Sequence, residues 1–567
     1  MNIMWDRLDP IQRRYRPVLS RISSSGRRCL WPCLSMLLVI TAPAQAQVTY
    51  ERLLKADAEP QNWLTYSGSY KGWRYSTLDQ INRANAANLK VAWVYQMPTS
   101  HRIEATPIVV DGVMYVTEPP SNVFALDAAT GRPYWHYKRV LPAKINVCCD
   151  AVNRGVAVLG DRVFLGTVDA HLVALNAKTG AVLWDVPVAD PNTGYSVTGA
   201  PLIVKDMVIT GVAGGEYGIR GFIDAYDVAT GKRRWRFNTI PGPGEKGHET
   251  WGGGDAWKQG GGSTWLTGSY DPELNYIVWG VGNPSPDWNA DVRPGDNLYT
   301  DSAIALDADT GTLKWHFQMV PHDSRDWDAV QVPVLVDADW QGKPRKLVYW
   351  AHRSGFYYVL DRTTGEFLLG KAFATQTWAK GLDAKGRPDQ LPNAVPTEAG
   401  TYIWPGVQGA TNWYSPSYNP LTGYFYLTVW ENKGFYLKGE PKYTPGNRYV
   451  GSVPDIDVAE DPGYGAIRAL NPKTGERVWE YKMQTKPWSG VLTTAGHVLF
   501  GSNGGWLSRE REDMEAYFFA LDADDGTELW RINLGGTMAS NPVTYMVNGK
   551  QMVTMAAGGA IFTFALQ

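Results

Sequence analysis

Cysteine is scarce in this 567-residue chain, which contains four in all. Cys29 and Cys33 lie near the N-terminus, and the other two form the adjacent pair Cys148 and Cys149. The sequence has no Cys-x-x-Cys-His, so we expect no covalently attached c-type haem. It also lacks an apolar run long enough to span a bilayer, which predicts no transmembrane segment. The near balance of 54 basic and 56 acidic residues gives no indication of nucleic-acid binding.

Residues 1–46 have the features of a secretory signal peptide. Seven arginines precede the apolar stretch 30–40, and the small-residue segment 42–46 follows it. We expect cleavage after Ala46 and a mature chain, residues 47–567, that folds as one domain in the periplasm. That compartment is oxidising and favours a bond between Cys148 and Cys149.

A disulfide between Cys148 and Cys149 would close a small, strained ring. Neighbouring Cα atoms lie about 3.8 Å apart, whereas disulfide-bonded residues usually lie roughly 4.4–6.8 Å apart. Such a ring cannot join distant segments, but it forms a rigid sulfur surface, and strain of this kind is found most often at functional sites. The alternative is two reduced thiols buried as small apolar groups.

A repeated phrase sets the predicted fold. Ala-Leu-Asp-x-x-Thr-Gly, followed by three residues and then tryptophan, recurs with variations at 125–135, 174–184, 225–235, 305–315, 469–479 and 520–530. A seventh copy, at 359–369, has Leu369 in place of the tryptophan. Each copy predicts a β-hairpin whose turn glycine takes positive φ and whose second strand carries a large indole. Periods of about 50 residues indicate propeller blades.

The two ends of the mature chain are predicted to complete one more blade. Residues 89–95 form an outer strand without its own hairpin, and residues 551–555 and 561–565 are strand-like. Their pairing would remove the open edges that a sheet protein must otherwise protect. We therefore predict an all-β, eight-bladed β-propeller with tryptophans packed between blades. Propellers serve as enzymes, scaffolds and docking platforms, so this fold alone defines no function.

Three polar segments depart from the repeat: 213–218, 282–289 and 322–328. Their carboxylates and side-chain amide come from separate blades, and together near the axis they would suit a hard cation that takes oxygen ligands. Each segment alone is equally compatible with turn capping. Arg353 by itself is equally compatible with a surface or ion-pair arginine.

Four segments, at 148–155, 215–221, 282–289 and 293–297, occur in the order found in one enzyme family. Together with the tryptophan-ended hairpins they resemble the alcohol dehydrogenases of the methanol and ethanol type that depend on pyrroloquinoline quinone (PQQ). The resemblance extends over essentially the whole mature chain. It implies oxidation of a primary alcohol to an aldehyde by hydride transfer to metal-bound PQQ.

The family resemblance also implies the residues of the site. PQQ would lie between the Cys148-Cys149 disulfide and the indole of Trp265. The other residues implied to contact it are Glu104, Arg154, Thr198, Ala213, Gly214, Thr264, Arg353, Asn412 and Trp488. The metal ion would be bound by Glu216, Asn283 and Asp326. Asp326 would also accept the alcohol proton, and Arg353 would hydrogen-bond the quinone oxygen where negative charge develops.

Asp328, two residues after the implied base, resembles the second carboxylate of the lanthanide-dependent members. An extra negative ligand favours a trivalent ion on charge grounds, so we expect a lanthanide or, alternatively, Ca²⁺. The other interpretation of Asp328 is a carboxylate that faces solvent or pairs with an arginine.

Electrons would pass to a separate soluble cytochrome c, and a homodimer is possible. Two further interpretations are a PQQ dehydrogenase of sugars or polyols, and a periplasmic propeller scaffold that catalyses nothing. A scaffold has no use for adjacent cysteines or for converging Glu216, Asn283 and Asp326.

Overall fold

Short, mostly antiparallel strands in eight sheets form the framework of the computed structural model, which describes residues 48–99, 101–452, 462–505 and 516–567. Seven of these sheets have four strands, and one has a fifth. The predicted signal peptide lies outside the described residues. We number the sheets as blades 1 to 8 in the order in which their innermost strands occur along the chain.

The strands of the first four blades are as follows. Blade 1 contains Ile108–Val110, Val113–Glu118, Asn122–Asp127 and Pro133–Tyr137. Blade 2 contains Val156–Leu159, Arg162–Gly166, His171–Asn176 and Val182–Pro187. Blade 3 contains Leu202–Val204, Met207–Gly211, Phe222–Asp227 and Arg233–Asn238. Blade 4 contains Ser269–Asp271, Tyr276–Val281, Ser302–Asp307 and Leu313–Gln318.

The remaining four blades continue the pattern. Blade 5 contains Val334–Trp340, Lys343–Ala351, Phe356–Asp361 and Phe367–Ala372. Blade 6 contains Ser417–Asn419, Tyr424–Glu431, Tyr464–Leu470 and Arg477–Met483. Blade 7 contains Leu492–Thr494, Val498–Ser502, Tyr517–Asp522 and Glu528–Asn533, with Tyr75–Ser76 added in parallel beside Leu492–Thr494. Blade 8 contains Val543–Val547, Lys550–Ala557, Ala560–Leu566 and Leu89–Gln96.

The elements outside the blades are short. Two small sheets pair Ala379–Leu382 with Pro388–Gln390 and Thr401–Ile403 with Gly434–Tyr436. One α-helix spans Tyr50–Leu54. The 3₁₀ helices are Ala56–Ala58, Ala86–Asn88, Pro191–Thr193, Gly215–Tyr217, His248–Trp251, Ala256–Gln259 and Ala290–Val292.

The closure of blade 8 confirms the predicted pairing of the two chain ends. Strand Leu89–Gln96 runs antiparallel to Ala560–Leu566, with Leu89 opposite Leu566 and Gln96 opposite Ala560. An N-terminal strand therefore forms the outer edge of a blade whose other three strands are C-terminal. The sequence prediction of an eight-bladed, all-β propeller is confirmed.

The repeated tryptophan and glycine form one contact between adjacent blades. Trp93 of blade 8 donates its indole N–H to the Ala128 carbonyl oxygen of blade 1, at 3.1 Å. Gly131 of the same turn has φ +73°, and a Cβ there would lie 2.5 Å from the Trp93 ring. The same indole-over-glycine contact pairs Trp135 with Gly180, Trp184 with Gly231, Trp235 with Gly311, Trp315 with Gly365 and Trp479 with Gly526. At the exceptional copy with Leu369, the glycine of the next blade, Gly475, lies against Lys371 instead.

Candidate active site

Every residue that the family resemblance implied for the site lies on one of two kinds of connection. One kind joins the outermost strand of a blade to the innermost strand of the next, and the other joins the second and third strands of a blade. Because neighbouring strands are antiparallel, both kinds of connection emerge at the same face of the propeller. The first kind carries Glu104, Cys148, Cys149, Arg154, Thr198, Thr264, Trp265, Asp326, Asp328, Asn412 and Trp488, and the second carries Ala213, Gly214, Glu216, Asn283 and Arg353.

The adjacent cysteines are joined as a disulfide, with Cα atoms 3.8 Å apart. Cys149 has φ +63°, a left-handed conformation that few residues other than glycine adopt. The sulfur atoms and a Glu216 carboxylate oxygen all lie within 4.8 Å of one another. Arg448 donates a hydrogen bond to the Cys148 sulfur at 3.6 Å. The disulfide thus lies directly beside one of the predicted metal ligands.

Arg154 lies over the face of Trp265. Its guanidinium carbon is 4.7 Å from the indole centroid and 5.1 Å from that of Trp413. The same guanidinium forms an ion pair with Glu104 at 2.7 Å and donates to the Thr198 hydroxyl at 3.2 Å. All three polar residues are buried. This arrangement sets a fixed positive charge against a flat aromatic surface, which suits a planar anionic ligand.

Three residues predicted to contact the cofactor, Thr264, Ala213 and Gly214, hold neighbouring loops in place through their own contacts. The Thr264 hydroxyl donates to the Phe222 carbonyl oxygen at 2.7 Å and accepts from the Val212 N–H at 3.0 Å. Ala213 N–H donates to the Ser196 carbonyl oxygen at 2.8 Å. Gly214 has φ +120°, and a Cβ there would lie 2.2 Å from a backbone oxygen. Together these contacts fix the backbone just before Glu216.

Asn412 and Trp488 lie farther along the same face. Asn412 uses its side chain within its own loop, donating to the Gln408 carbonyl oxygen at 3.0 Å and accepting from the Trp413 N–H at 2.8 Å. Trp488 packs edge-on against Trp430, with ring centroids 4.8 Å apart.

Asp328 and Arg353 link the predicted metal ligands. Asp328 Oδ1 accepts the Asn283 backbone N–H at 3.0 Å, and Asp328 Oδ2 forms a short ion pair with Arg353 Nη1. The second terminal nitrogen of Arg353 lies 3.6 Å from Asp326 Oδ2. Asp326 has φ +61°, a conformation that aspartate and asparagine tolerate better than most residues. Arg353 therefore contacts both carboxylates of the Asp326-Trp327-Asp328 segment.

The carboxylates of this centre destabilise each other's charged forms. Enclosure by protein raises the pKa of Glu216, and the charge of Asp328 raises it further. The pKa of Asp326 is raised well above its usual range by burial and by its acidic neighbours, although Arg353 opposes the shift. The pKa of Asp328 is also raised by burial, against the effect of Arg353. Arg353 and Arg448 lower the pKa of Glu216 but do not cancel the effect of burial, so an added cation would stabilise the charged carboxylates.

Sequence reasoning did not assign a role to two further buried acids, Asp287 and Asp301. Neither carboxylate oxygen of either residue accepts a hydrogen bond. Asp287 lies inside segment 282–289, one of the three polar segments that depart from the repeat. Its position in that segment is the feature of the sequence that could have indicated a role for it. Its burial follows from the fold and not from the local pattern.

Comparison with known proteins agrees with the fold and identifies the family. The chain matches the family described as glucose/ethanol/alcohol dehydrogenase, beta-propeller domain, over residues 63–370 and 454–553. It is 39% identical to the quinoprotein alcohol dehydrogenase PedH of Pseudomonas putida, covering 95% of this chain and 93% of the relative. It is also 39% identical to the quinohemoprotein alcohol dehydrogenase ADH IIB of the same species, covering 93% and 77%.

Two solved structures share the architecture closely. The quinohemoprotein alcohol dehydrogenase from Comamonas testosteroni superposes with a TM-score of 0.86 at 35% identity, covering 92% of this chain and 82% of that one. A europium-containing methanol dehydrogenase superposes with a TM-score of 0.85 at 33% identity, covering 91% and 100%. In the part of the chain that the structure describes, no helix is long and apolar enough to cross a membrane.

The fold and the site define a propeller enzyme whose centre presents a disulfide, an arginine-covered indole and a cluster of acids at one face. The chain belongs to the PQQ-dependent alcohol dehydrogenases. It is therefore an oxidoreductase that oxidises an alcohol, as the sequence motifs predicted. The interpretation as a non-catalytic scaffold is wrong.

Proposed function

We propose that this enzyme works in the periplasm, oxidises a primary alcohol to an aldehyde, and passes the electrons to a separate soluble cytochrome c. The observation that carries the proposal is the contact of Arg353 with both Asp326 and Asp328, beside Glu216 and Asn283. A proton acceptor and a fixed positive donor are thereby held together at one face of the propeller.

The residues around Trp265 fit PQQ. Cys148 and Cys149 would cover one side of the cofactor and Trp265 the other. Glu104, Arg154, Thr198, Ala213, Gly214, Thr264, Asn412 and Trp488 would surround its edge. The supporting observation is that Arg154 already stacks a flat cationic group on the indole, since a planar guanidinium can donate two hydrogen bonds to a carboxylate. When bound, PQQ supplies the electrophilic carbonyl that accepts a hydride.

Glu216, Asn283, Asp326 and Asp328 fit a hard cation. Carboxylate and amide oxygens are the ligands such ions prefer. The supporting observation is the set of raised carboxyl pKa values, since these acids repel one another without an added positive charge. Asp328 and the similarity to a europium-containing methanol dehydrogenase favour a lanthanide, with Ca²⁺ as the alternative.

Asp326 and Arg353 would have distinct roles in the reaction. A nearby cation lowers the pKa of Asp326 and keeps it ionised, so that it can take the hydroxyl proton of the alcohol as a general base. Arg353, whose pKa is raised by its acidic neighbours, stays protonated and donates hydrogen bonds where negative charge develops.

Dye-linked oxidation of several alcohols tests the proposal. The apo-protein is reconstituted with PQQ and assayed in parallel with Ca²⁺ and with a light lanthanide, and then with cytochrome c in place of the dye. We expect activity on primary alcohols that requires both PQQ and a metal ion. Folded protein that remains inactive with both ions and every alcohol tested would refute the proposal.

A further inference from the structure

Asp287 is a buried carboxylate without a hydrogen-bonding partner. Its side chain is 1% exposed, and neither oxygen accepts a hydrogen bond. Among the described residues it forms no ion pair with a lysine, arginine or histidine. A buried acid in this state carries a large desolvation cost unless some other group compensates it.

The turn that carries Asp287 packs against the turn that carries Glu216. The Ser285 hydroxyl donates a short hydrogen bond to the Gly215 carbonyl oxygen. A Cβ on Gly215 would lie 3.6 Å from the Asn283 side-chain oxygen. These contacts bring residues 283–287 and the Glu216 turn to one location.

The electrostatic neighbours of Asp287 are the predicted metal ligands. Burial raises its pKa well above the usual range, and the charges of Glu216 and Asp328 raise it further, while the neighbouring Asn283 side chain opposes the shift. Asp287 in turn contributes to the raised pKa of Asp326. Asp287 thus interacts electrostatically with Glu216, Asp326 and Asp328.

Asp328 and Asp287 differ in how their oxygens are used. One oxygen of Asp328 accepts the Asn283 N–H, and the other pairs with Arg353. Neither oxygen of Asp287 has a hydrogen-bonding partner of standard geometry, although the Asn283 side chain lies beside it. Asp287 therefore has more uncommitted lone pairs than Asp328, in which each oxygen already has one partner.

We propose that Asp287 supplies an additional carboxylate ligand to the metal ion, a role that rests on the metal-dependent function proposed above. With Asp287 ionised, Glu216, Asp287, Asp326 and Asp328 carry four negative charges, opposed by Arg293, Arg353 and Arg448. Each of these carboxylates attracts a trivalent ion more strongly than a divalent ion at the same distance. The proposal therefore also assigns to Asp287 a preference of the site for trivalent over divalent hard cations.

The test measures ion binding, separately from turnover. Eu³⁺ and Ca²⁺ affinities are determined by equilibrium dialysis for the PQQ-reconstituted wild-type protein and for Asp287→Asn, which keeps the shape of the side chain. The number of water molecules on bound Eu³⁺ is obtained from luminescence lifetimes in H₂O and D₂O, for wild type and Asp287→Ala. Asp301→Asn is the control for the loss of a buried negative charge alone, since Asp301 is equally buried and unpartnered and its pKa is also raised by Asp326 and Asp328.

We expect Asp287→Asn to weaken Eu³⁺ binding by about tenfold or more and to weaken Ca²⁺ binding less. Asp287→Ala should admit additional water to bound Eu³⁺. Asp301→Asn should weaken Eu³⁺ binding less than Asp287→Asn does, because it removes a charge but not a ligand. The Asp287 proposal would be wrong if Asp287→Asn kept wild-type affinities and Asp287→Ala kept the wild-type hydration of bound Eu³⁺. If Asp326→Asn still weakened ion binding in that case, the proposed metal site itself would stand. Folded wild-type protein that bound neither ion would overturn both the metal-dependent function and the role of Asp287.

Discussion

Arg353 forms an ion pair with Asp328, the buried carboxylate two residues after the proposed base. The same guanidinium lies 3.6 Å from Asp326 Oδ2. Arg353 therefore contacts both of the acids that we propose as metal ligands. The strength of this ion pair would set how readily Asp328 can bind a cation.

Asp326→Asn is expected to abolish most turnover while the protein stays folded. The asparagine tolerates the left-handed backbone at this position (φ +61°) but cannot accept the alcohol proton. We expect kcat to fall by about 100-fold or more, the usual contribution of a general base. Dye-linked assays with PQQ and a saturating metal ion measure the loss, and the thermal unfolding midpoint checks the fold. A variant with wild-type kcat would place the base elsewhere.

Arg353→Lys is expected to lower activity although it keeps the charge. A lysine ammonium cannot contact Asp328, Asp326 and the Val407 carbonyl oxygen together, as the guanidinium does. We expect kcat to fall by about 100-fold, as for removal of a preorganised donor. The alcohol KM measured alongside separates this effect from weaker substrate binding. Full activity in the lysine variant would show that a point charge is sufficient.

Cys148→Ser is expected to reduce PQQ retention with a small change in thermal stability. The disulfide joins neighbouring residues, so breaking it releases almost no additional unfolded-chain entropy. PQQ content after gel filtration, measured by absorbance, reports retention. The double variant Cys148→Ser/Cys149→Ser controls for the free thiol left by the single change. Wild-type PQQ content and wild-type rates in both variants would contradict a cofactor-contacting role for the disulfide.

The blades could be predicted from the sequence because their determinants are local and repeated. Gly131 belongs to a phrase that recurs in seven of the eight blades, and its contact with Trp93 of the eighth shows that the phrase encodes the contact between blades. The pairing of residues 89–96 with 560–566 followed from counting strands and closing the sheet edges. Both inferences needed only periodicity and the requirement that strand edges be satisfied.

The state of the acidic residues could not be predicted in the same way. Asp287 and Asp328 each occupy a turn-like segment, where aspartate commonly caps backbone N–H groups. Whether such an acid pairs with Arg353, binds backbone or stays unpartnered depends on segments from blades 3, 4 and 5 meeting at one face. The family resemblance named most of the site, but it could not distinguish the engaged oxygens of Asp328 from the free oxygens of Asp287.

Trp315→Ala is expected to destabilise the propeller more than Leu369→Ala. Trp315 is buried, donates to the Arg362 carbonyl oxygen at 2.8 Å and covers Gly365 of the next blade. Its removal should cost about 3 kcal/mol, in the range of large-to-small changes in a core. Leu369 occupies the same repeat position, but the glycine of the following blade lies against Lys371. Thermal unfolding midpoints compare the two, and equal losses would refute the inter-blade role of the indole.

Asp328→Asn is expected to change which metal ion supports activity. In the structure Asp328 is held by Arg353 and by the Asn283 N–H, so a bound metal ion would compete with the arginine for this carboxylate. A trivalent ion attracts a carboxylate more strongly than a divalent one at the same distance, so lanthanide binding should favour this exchange. If Asp328 then acts as a ligand, the asparagine variant should lose lanthanide-supported activity by about tenfold more than calcium-supported activity. Parallel assays across a concentration series of each ion measure this ratio. Equal losses with both ions, accompanied by a lower unfolding midpoint, would instead leave Asp328 as the structural partner of Arg353.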